Sequence, residues 1–237
     1  MNIGLIGYGK MGKTIEKLAN AKGHDIVLRI SSSNALELNA QNLKSLDVAL
    51  EFSSPQAAPK NLAILAENKI PTVCGSTAWL DHYDEICHLF NSNDTPFLYA
   101  SNFSIGVNIF FKLNSYLAEL MDKFSAYDIS MQEIHHTEKV DAPSGTAVTL
   151  ADQILDKVQR KNTWTNQKRD NTQQIEIESQ RLDDVKGTHS VSYTSGIDNI
   201  TISHEAYSRE GFASGALLAS EWIQGKKGIF SFKDIME

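Results

Sequence analysis

The sequence predicts an α/β protein: an open, largely parallel sheet flanked by helices, followed by a second, α+β region. Three observations predict it. Over the first hundred residues, short apolar runs alternate with helix-like segments, which is the pattern of parallel strands joined by helical crossovers. A glycine-rich turn separates the first apolar run from the first helical one. After about Phe103 the strict alternation stops, and several strand-like runs follow one another.

Taken in order, residues 3–6 read as a buried strand and residues 10–22 as a helix closed by Gly23. Further strands are expected at 25–30, 47–52, 72–74 and 97–100, with helices at 61–68 and 82–91. In the second region a long helix is expected at 105–121, a strand at 127–134 and a helix at 146–159. The last carries an apolar face of Ala147, Leu150, Ala151, Ile154, Leu155 and Val158. Residues 162–172 are polar and read as a loop. Strands at 174–182, 187–195 and 199–207 follow, with Gly196-Ile197-Asp198 as a turn between the last two. A final helix at 213–224 is expected to pack back onto the first domain. The expected domains are 1–103 with 209–237, and 104–208.

Composition narrows the function. The chain has 237 residues and a formal net charge of −7, so no basic surplus exists to neutralise a nucleic acid. A site for an anionic ligand must therefore gather its positive charge locally. Cys74 and Cys87 form no CxxC pair or zinc-like cluster and read as reduced thiols. The N-terminus lacks the layout of a signal peptide, and no apolar stretch reaches the roughly 20 residues that span a bilayer. The expectation is a cytoplasmic protein with no nucleic-acid or membrane partner.

Gly7-Tyr8-Gly9-Lys10-Met11-Gly12 is a GxGxxG sequence between a strand and a helix. Gly7 permits the tight turn, Gly9 lets a pyrophosphate approach the backbone, and Gly12 lets helix and strand pack closely. The helix start, with Lys10 and Met11, offers unpaired N–H groups to the phosphates. This predicts a Rossmann-type dinucleotide-binding domain. At the end of the second strand, Ser31-Ser32-Ser33 stands where an NAD-specific site carries a carboxylate. Hydroxyls there do not repel a 2′-phosphate, so the expected cofactor is NADPH or NADH. Other strand ends are polar as well: Ser53-Ser54, Gly75-Ser76-Thr77 and Ser101-Asn102, where open α/β sheets bind ligands.

The segment from Glu133 to Thr146, EIHHTEKVDAPSGT, carries the second site. Adjacent His135 and His136 on a strand point to opposite faces, and no third ligand stands at suitable spacing, so no metal site is expected. Ser144-Gly145-Thr146 opening a helix is an anion cradle, with backbone N–H groups and the positive dipole end favouring a carboxylate. Lys139 and the histidines make the pocket cationic. A satisfied core histidine and a plain N-cap are the bland alternatives for His135 and Ser144 taken singly; together over fourteen residues they point to a site.

This segment resembles the signature of the 4-hydroxy-tetrahydrodipicolinate (dihydrodipicolinate) reductase family of the diaminopimelate route to lysine. The early GxGxxG, Gly75-Ser76-Thr77, the turn Ser101, Asn102, Phe103 and Ser104, and Ser208-Arg209 extend the resemblance over nearly the whole chain. Two departures stand out: a short stretch between the second and third strands, and Ser31 where members that use NADH well carry an acid. The resemblance implies a Rossmann domain completed by the C-terminal segment and a substrate domain whose open mixed sheet assembles a homotetramer. It implies His135 as the general acid, Lys139 as the residue holding and polarising substrate, and His136, Ser144, Gly145 and Thr146 as carboxylate binders. Gly7, Gly12, Gly75, Thr77 and the Ser101–Ser104 turn are implied as cofactor contacts. Two rivals are an amino-acid or sugar dehydrogenase of similar build, which needs no such cradle beside paired histidines, and a non-catalytic nicotinamide sensor.

Overall fold

In the computed structural model, residues 1–208 and 210–237 are described; Arg209, which the resemblance includes, lies outside the described residues. The chain divides into two compact units, residues 1–105 with 209–237 and residues 106–208.

In chain order the elements are β1 (Asn2–Ile6), α1 (Lys10–Ala21), β2 (Asp25–Ile30), α2 (Ala40–Leu43), β3 (Val48–Glu51), α3 (Ala58–Glu67), β4 (Thr72–Cys74), α4 (Tyr83–Ser92) and β5 (Phe97–Tyr99). Then come α5 (Ile105–Met121), β6 (Asp128–His135), α6 (Gly145–Lys157), β7 (Thr163–Thr165), β8 (Gln174–Arg181), β9 (Thr188–Thr194) and β10 (Asn199–Glu205). The chain closes with α7 (Glu210–Trp222), β11 (Ile229–Ser231) and α8 (Phe232–Ile235).

The first unit holds a six-stranded sheet of order β11-β5-β4-β3-β1-β2, parallel at every pairing. Its inner strands are covered on both faces: every residue of β3 and β4 is buried, the polar Glu51 and Thr72 at their ends included, as expected for a sheet covered on two sides. One core gathers Ile3, Leu5, Val48, Leu50 and Val73 with Ala213, Ala216 and Leu217 of α7; the other gathers Ile6, Ala49 and Cys74 with Leu62 and Leu65 of α3 and Phe90 of α4. Gly215 explains how α7 docks so closely: a Cβ there would lie 1.7 Å from the carbonyl oxygen of Phe103.

Three differences from the sequence reading have physical causes. Helix α3 begins at Ala58 rather than 61, because Pro59 sits in the first turn, where its missing N–H costs nothing. Strand β7 lies inside the stretch read as a loop; its Thr-Trp-Thr sequence lacks an apolar run, and it joins the sheet edge through β8. Strand β11 follows the last helix and adds three residues beside β5, too short to register as a pattern.

The second unit carries a mixed five-stranded sheet of order β10-β9-β6-β8-β7. Strand β6 is its centre, parallel to β8 and antiparallel to β9. On one face Ile129, Met131, Ile175, Ile177, Val191 and Tyr193 pack against Phe110 and Ala118 of α5 and Ala147, Leu150 and Ile154 of α6. The other face is polar, with Ser130, Gln132, Glu176, Glu178, Ser190 and Ser192 lining a shallow groove. The alternation along each strand sets this division.

Candidate active site

The glycine loop divides its labour among three glycines. Gly7 has φ +103°, and a Cβ there would lie 2.2 Å from the backbone oxygen of Phe52. A Cβ on Gly12 would lie 2.7 Å from the oxygen of Gly7. Both are therefore required by packing. Gly9 has open space around its Cβ position, yet it is the N-cap of α1 and offers no side-chain cap. The first N–H groups of α1 have no intrahelical acceptor by position.

Two cavities border this loop within the first unit. One, of about 370 Å³, is lined by Gly7, Tyr8, Gly9, Ser31, Ser32 and Ser54 among others. The second, of about 260 Å³, is lined by Met11, Gly75, Ser76, Thr77, Ser101 and Phe103 among others. Phe52 and Ser53 border both. The Oγ of Ser76 is buried without a hydrogen-bond partner. An orphaned hydroxyl in a cavity wall, free helix N–H groups and a glycine with nothing beside it fit a dinucleotide. Of the expected cofactor contacts, Lys10, Gly12, Asn102 and Ser104 line neither cavity. Gly12 serves packing, and Asn102 Oδ1 accepts from the backbone N–H of Ser104 at 2.9 Å, shaping the turn.

Beside the cavity that Tyr8 lines with Ser31 and Ser32, Glu16 accepts hydrogen bonds from Tyr8 and Arg29. Hydrogen bonding to Arg29, then to Tyr8, holds the Glu16 carboxyl below its ordinary range. Arg29 is thus already paired, a neighbour the sequence reading did not weigh.

In the second unit, the apolar stripe of β6 turns polar at its end. Ile129 and Met131 are followed on the same face by Glu133 and His135. Opposite Glu133 in the antiparallel register stands His189 of β9, and opposite His135 in the parallel register stands Arg181 of β8. Glu133 is fully buried. It accepts from the backbone N–H of Ser144 at 3.0 Å and from Arg181 Nη2 at 3.1 Å. These bonds outweigh the cost of desolvation and hold its carboxyl below the usual range. Nε2 of His189 lies 3.0 Å from Ser144 Oγ and 3.3 Å from Nε2 of His135. Burial pushes the His189 imidazole down to about 4. Burial also lowers His135, with Glu133 opposing and Lys139 and Arg181 reinforcing the shift.

Glu133, His135 and His189 place one ligand-type atom each within 4.8 Å of one another. This corrects the expectation that no third ligand is at hand: the fold supplies one from two residues upstream and another from a neighbouring strand. The carboxylate is already held by Arg181 and Ser144, with Lys139 adding positive charge nearby. Those surroundings suit a hydrogen-bonded network rather than a cation.

Ser144 is also the N-cap of α6, its Oγ accepting from the N–H of Ala147 at 3.3 Å. The N–H groups of Gly145 and Thr146 lack intrahelical acceptors by position, so the anion cradle begins where the histidine network ends. Lys139 Nζ is paired with Asp141 at 2.8 and 2.9 Å. Arg181 ties the loop down through the carbonyls of Lys139 and Asp141. His136 follows β6 with its Nδ1 buried and unpartnered. Arg181, Glu133 and His189 were missed from sequence because their roles come from strand register, although a buried Glu on an apolar face was a readable signal.

A parallel sheet with a dinucleotide-shaped glycine turn, joined in one chain to a cationic, anion-cradling site that carries a buried histidine, defines a nicotinamide-dependent oxidoreductase. Residues 1–103 match the family described as dihydrodipicolinate reductase, N-terminus, and residues 106–236 match dihydrodipicolinate reductase, C-terminus. The chain belongs to the dihydrodipicolinate reductase family. A 4-hydroxy-tetrahydrodipicolinate reductase of Christiangramia forsetii is 44% identical over 236 residues, covering 100% of this chain and 98% of that protein. Its counterpart in Rickettsia bellii is 34% identical over 238 residues, covering 99% and 94%. A dipicolinate-bound dihydrodipicolinate reductase from Paenisporosarcina sp. TG-14 shares the fold, with a TM-score of 0.80, 23% identity and 99% of both chains covered.

Proposed function

We propose that this protein reduces 4-hydroxy-tetrahydrodipicolinate to tetrahydrodipicolinate with NADH or NADPH, in the diaminopimelate route to lysine. The single observation that carries the reading is the shared position of Ser144. It caps the anion-cradling helix and hydrogen-bonds the histidine network in the same stroke, in a chain of this family. A dicarboxylate held there lies beside the proton donor that its reduction needs.

When bound, the reduced nicotinamide supplies hydride to C4 of the conjugated ring. This chain's residues do the rest. Gly9 and the start of α1, with Lys10 and Met11, receive the pyrophosphate; Ser31 lies by the ribose; Gly75, Ser76, Thr77, Ser101 and Phe103 line the far side. Ser144, Gly145, Thr146 and His136 hold the substrate carboxylates. Lys139 stabilises the negative charge developing in the ring. His135 protonates C3, the step for which an imidazole is suited near neutral pH. Water is lost across C3 and C4 of the hydroxylated substrate beforehand, which creates the conjugated bond that hydride and proton then saturate.

In this reading residues 1–103 and 209–237 bind dinucleotide, and residues 104–208 bind substrate and assemble a homotetramer through the open polar face of the mixed sheet. The enzyme works in the cytoplasm. No helix among the described residues is long and apolar enough to cross a membrane. The test couples the protein to dihydrodipicolinate synthase and follows oxidation of NADH and NADPH separately. Synthase-dependent oxidation of at least one is expected, and oxidation of neither overturns the reading.

A further inference from the structure

We propose that His135 delivers its proton through Nδ1, while Glu133 and His189 are positioning residues that keep a hydrogen on its other ring nitrogen, Nε2. The inference rests on the reading above, since it concerns the proton donor assigned there.

The two nitrogens of His135 have opposite surroundings. Nε2 faces inward, 3.3 Å from Nε2 of His189 and 3.6 Å from Oε2 of Glu133. Nδ1 has no hydrogen-bond partner among the described residues, and it is absent from the atoms that are both buried and unpartnered, so it reaches solvent. Gly187 keeps that edge open: a Cβ there would lie 2.9 Å from Cε1 and 3.3 Å from Nδ1 of the ring.

Chemistry then assigns the hydrogens. An ionised carboxylate can only accept, so the two Nε2 atoms that face Glu133 and each other share one hydrogen, and we place it on His135, the ring nearer the carboxylate. His189 is buried and neutral at neutral pH, so the single lone pair of its Nε2 can accept from His135 while Ser144 Oγ, accepting from Ala147, turns its hydrogen to the Glu133 carboxylate. Resting His135 is thereby the Nε2–H tautomer with a lone pair on Nδ1. A solvent proton loads at Nδ1. In the reaction the Nδ1–H bond breaks as the new C–H bond forms at C3, its electrons stay on nitrogen, and His135 returns to the neutral Nε2–H form. Glu133 supports the charged form, as a buried carboxylate behind a catalytic imidazole does elsewhere.

The groups facing His135 are Glu133 and His136 from its own strand and strand end, Arg181 from β8, His189 from β9 and Lys139 from the following loop. Glu133 is the one anion among them. Glu133→Gln leaves the imidazolium among cations, so the limb on which kcat/KM falls with rising pH moves to lower pH. Near neutrality kcat/KM then drops about tenfold or more, with the KM for cofactor unchanged. His189→Leu lowers kcat similarly, and His189→Gln, which keeps an acceptor, restores most of it.

The direct test is nitrogen-15 NMR of the whole protein labelled at histidine, with the His135 signals identified by their loss in His135→Asn. The proposal predicts a protonated Nε2 and an unprotonated Nδ1 at neutral to alkaline pH. The reverse tautomer overturns it, as does a Glu133→Gln enzyme with an unmoved pH profile. The tautomer is read without turnover. A wild-type protein that oxidises neither cofactor therefore fails the functional reading, while a turning-over protein with the reverse tautomer fails only this one.

Discussion

Glu133 of β6 and His189 of β9 stand directly opposite in the antiparallel register, with Oε2 and Nε2 3.7 Å apart. They close the apolar face of the second sheet with a charge and an imidazole, both buried. Such groups are stable inside a protein only when hydrogen-bonded, and here Ser144 and Arg181 complete them.

The His189 imidazole makes folding pH-dependent. Its folded value of about 4 lies below the ordinary 6.5, so the unfolded chain takes up the proton first as pH falls. Stability attributable to this group is complete above about pH 6.5 and is lost on acidification toward about pH 4, to a full extent of about 3 kcal/mol. Urea unfolding across that window should show the loss, and His189→Gln should flatten the slope. His135 and Glu133, both shifted downward, add to the wild-type slope with the same sign.

The glycine loop separates folding from binding. Gly7→Ala forces a Cβ onto the Phe52 backbone at positive φ and should cost more than about 2 kcal/mol. Gly9→Ala meets no atom, so thermal unfolding should be unchanged or slightly improved. Its methyl enters the space expected for the pyrophosphate, and the Kd for NADPH should rise about tenfold or more. Equal effects of both variants on unfolding would contradict this division.

Gly187→Ala should act on catalysis from outside the substrate cradle. With φ +151° and His135 Cε1 2.9 Å from the added Cβ, the ring must shift. We expect kcat to fall about tenfold or more, with KM values nearly unchanged, in steady-state kinetics; a wild-type kcat would show that the ring has room to spare.

Much of this was legible in the sequence. The parallel strands announced themselves through apolar runs such as those ending at Ile6 and Cys74, and α5 and α6 through their apolar faces. The HH–K–DAPSGT segment announced the proposed substrate site. What strand register alone decides was not legible. His189 is 54 residues from His135 in sequence, and Arg181 reaches Glu133 because β8 runs parallel beside β6. Strand β7 escaped because Thr163 and Thr165 hide a single tryptophan. The motif reads Gly12 as a packing glycine, and the 2.7 Å between its would-be Cβ and the oxygen of Gly7 agrees, while Gly9 is left with open space beside it.

The central claim is that His135 supplies the proton in a reduction driven by NADH or NADPH. The most direct measurement compares wild type and His135→Ala in the coupled assay, with cofactor Kd determined on the same samples. The account predicts that kcat falls by about a hundredfold or more while the Kd stays within about twofold. A variant that turns over at the wild-type rate would contradict it.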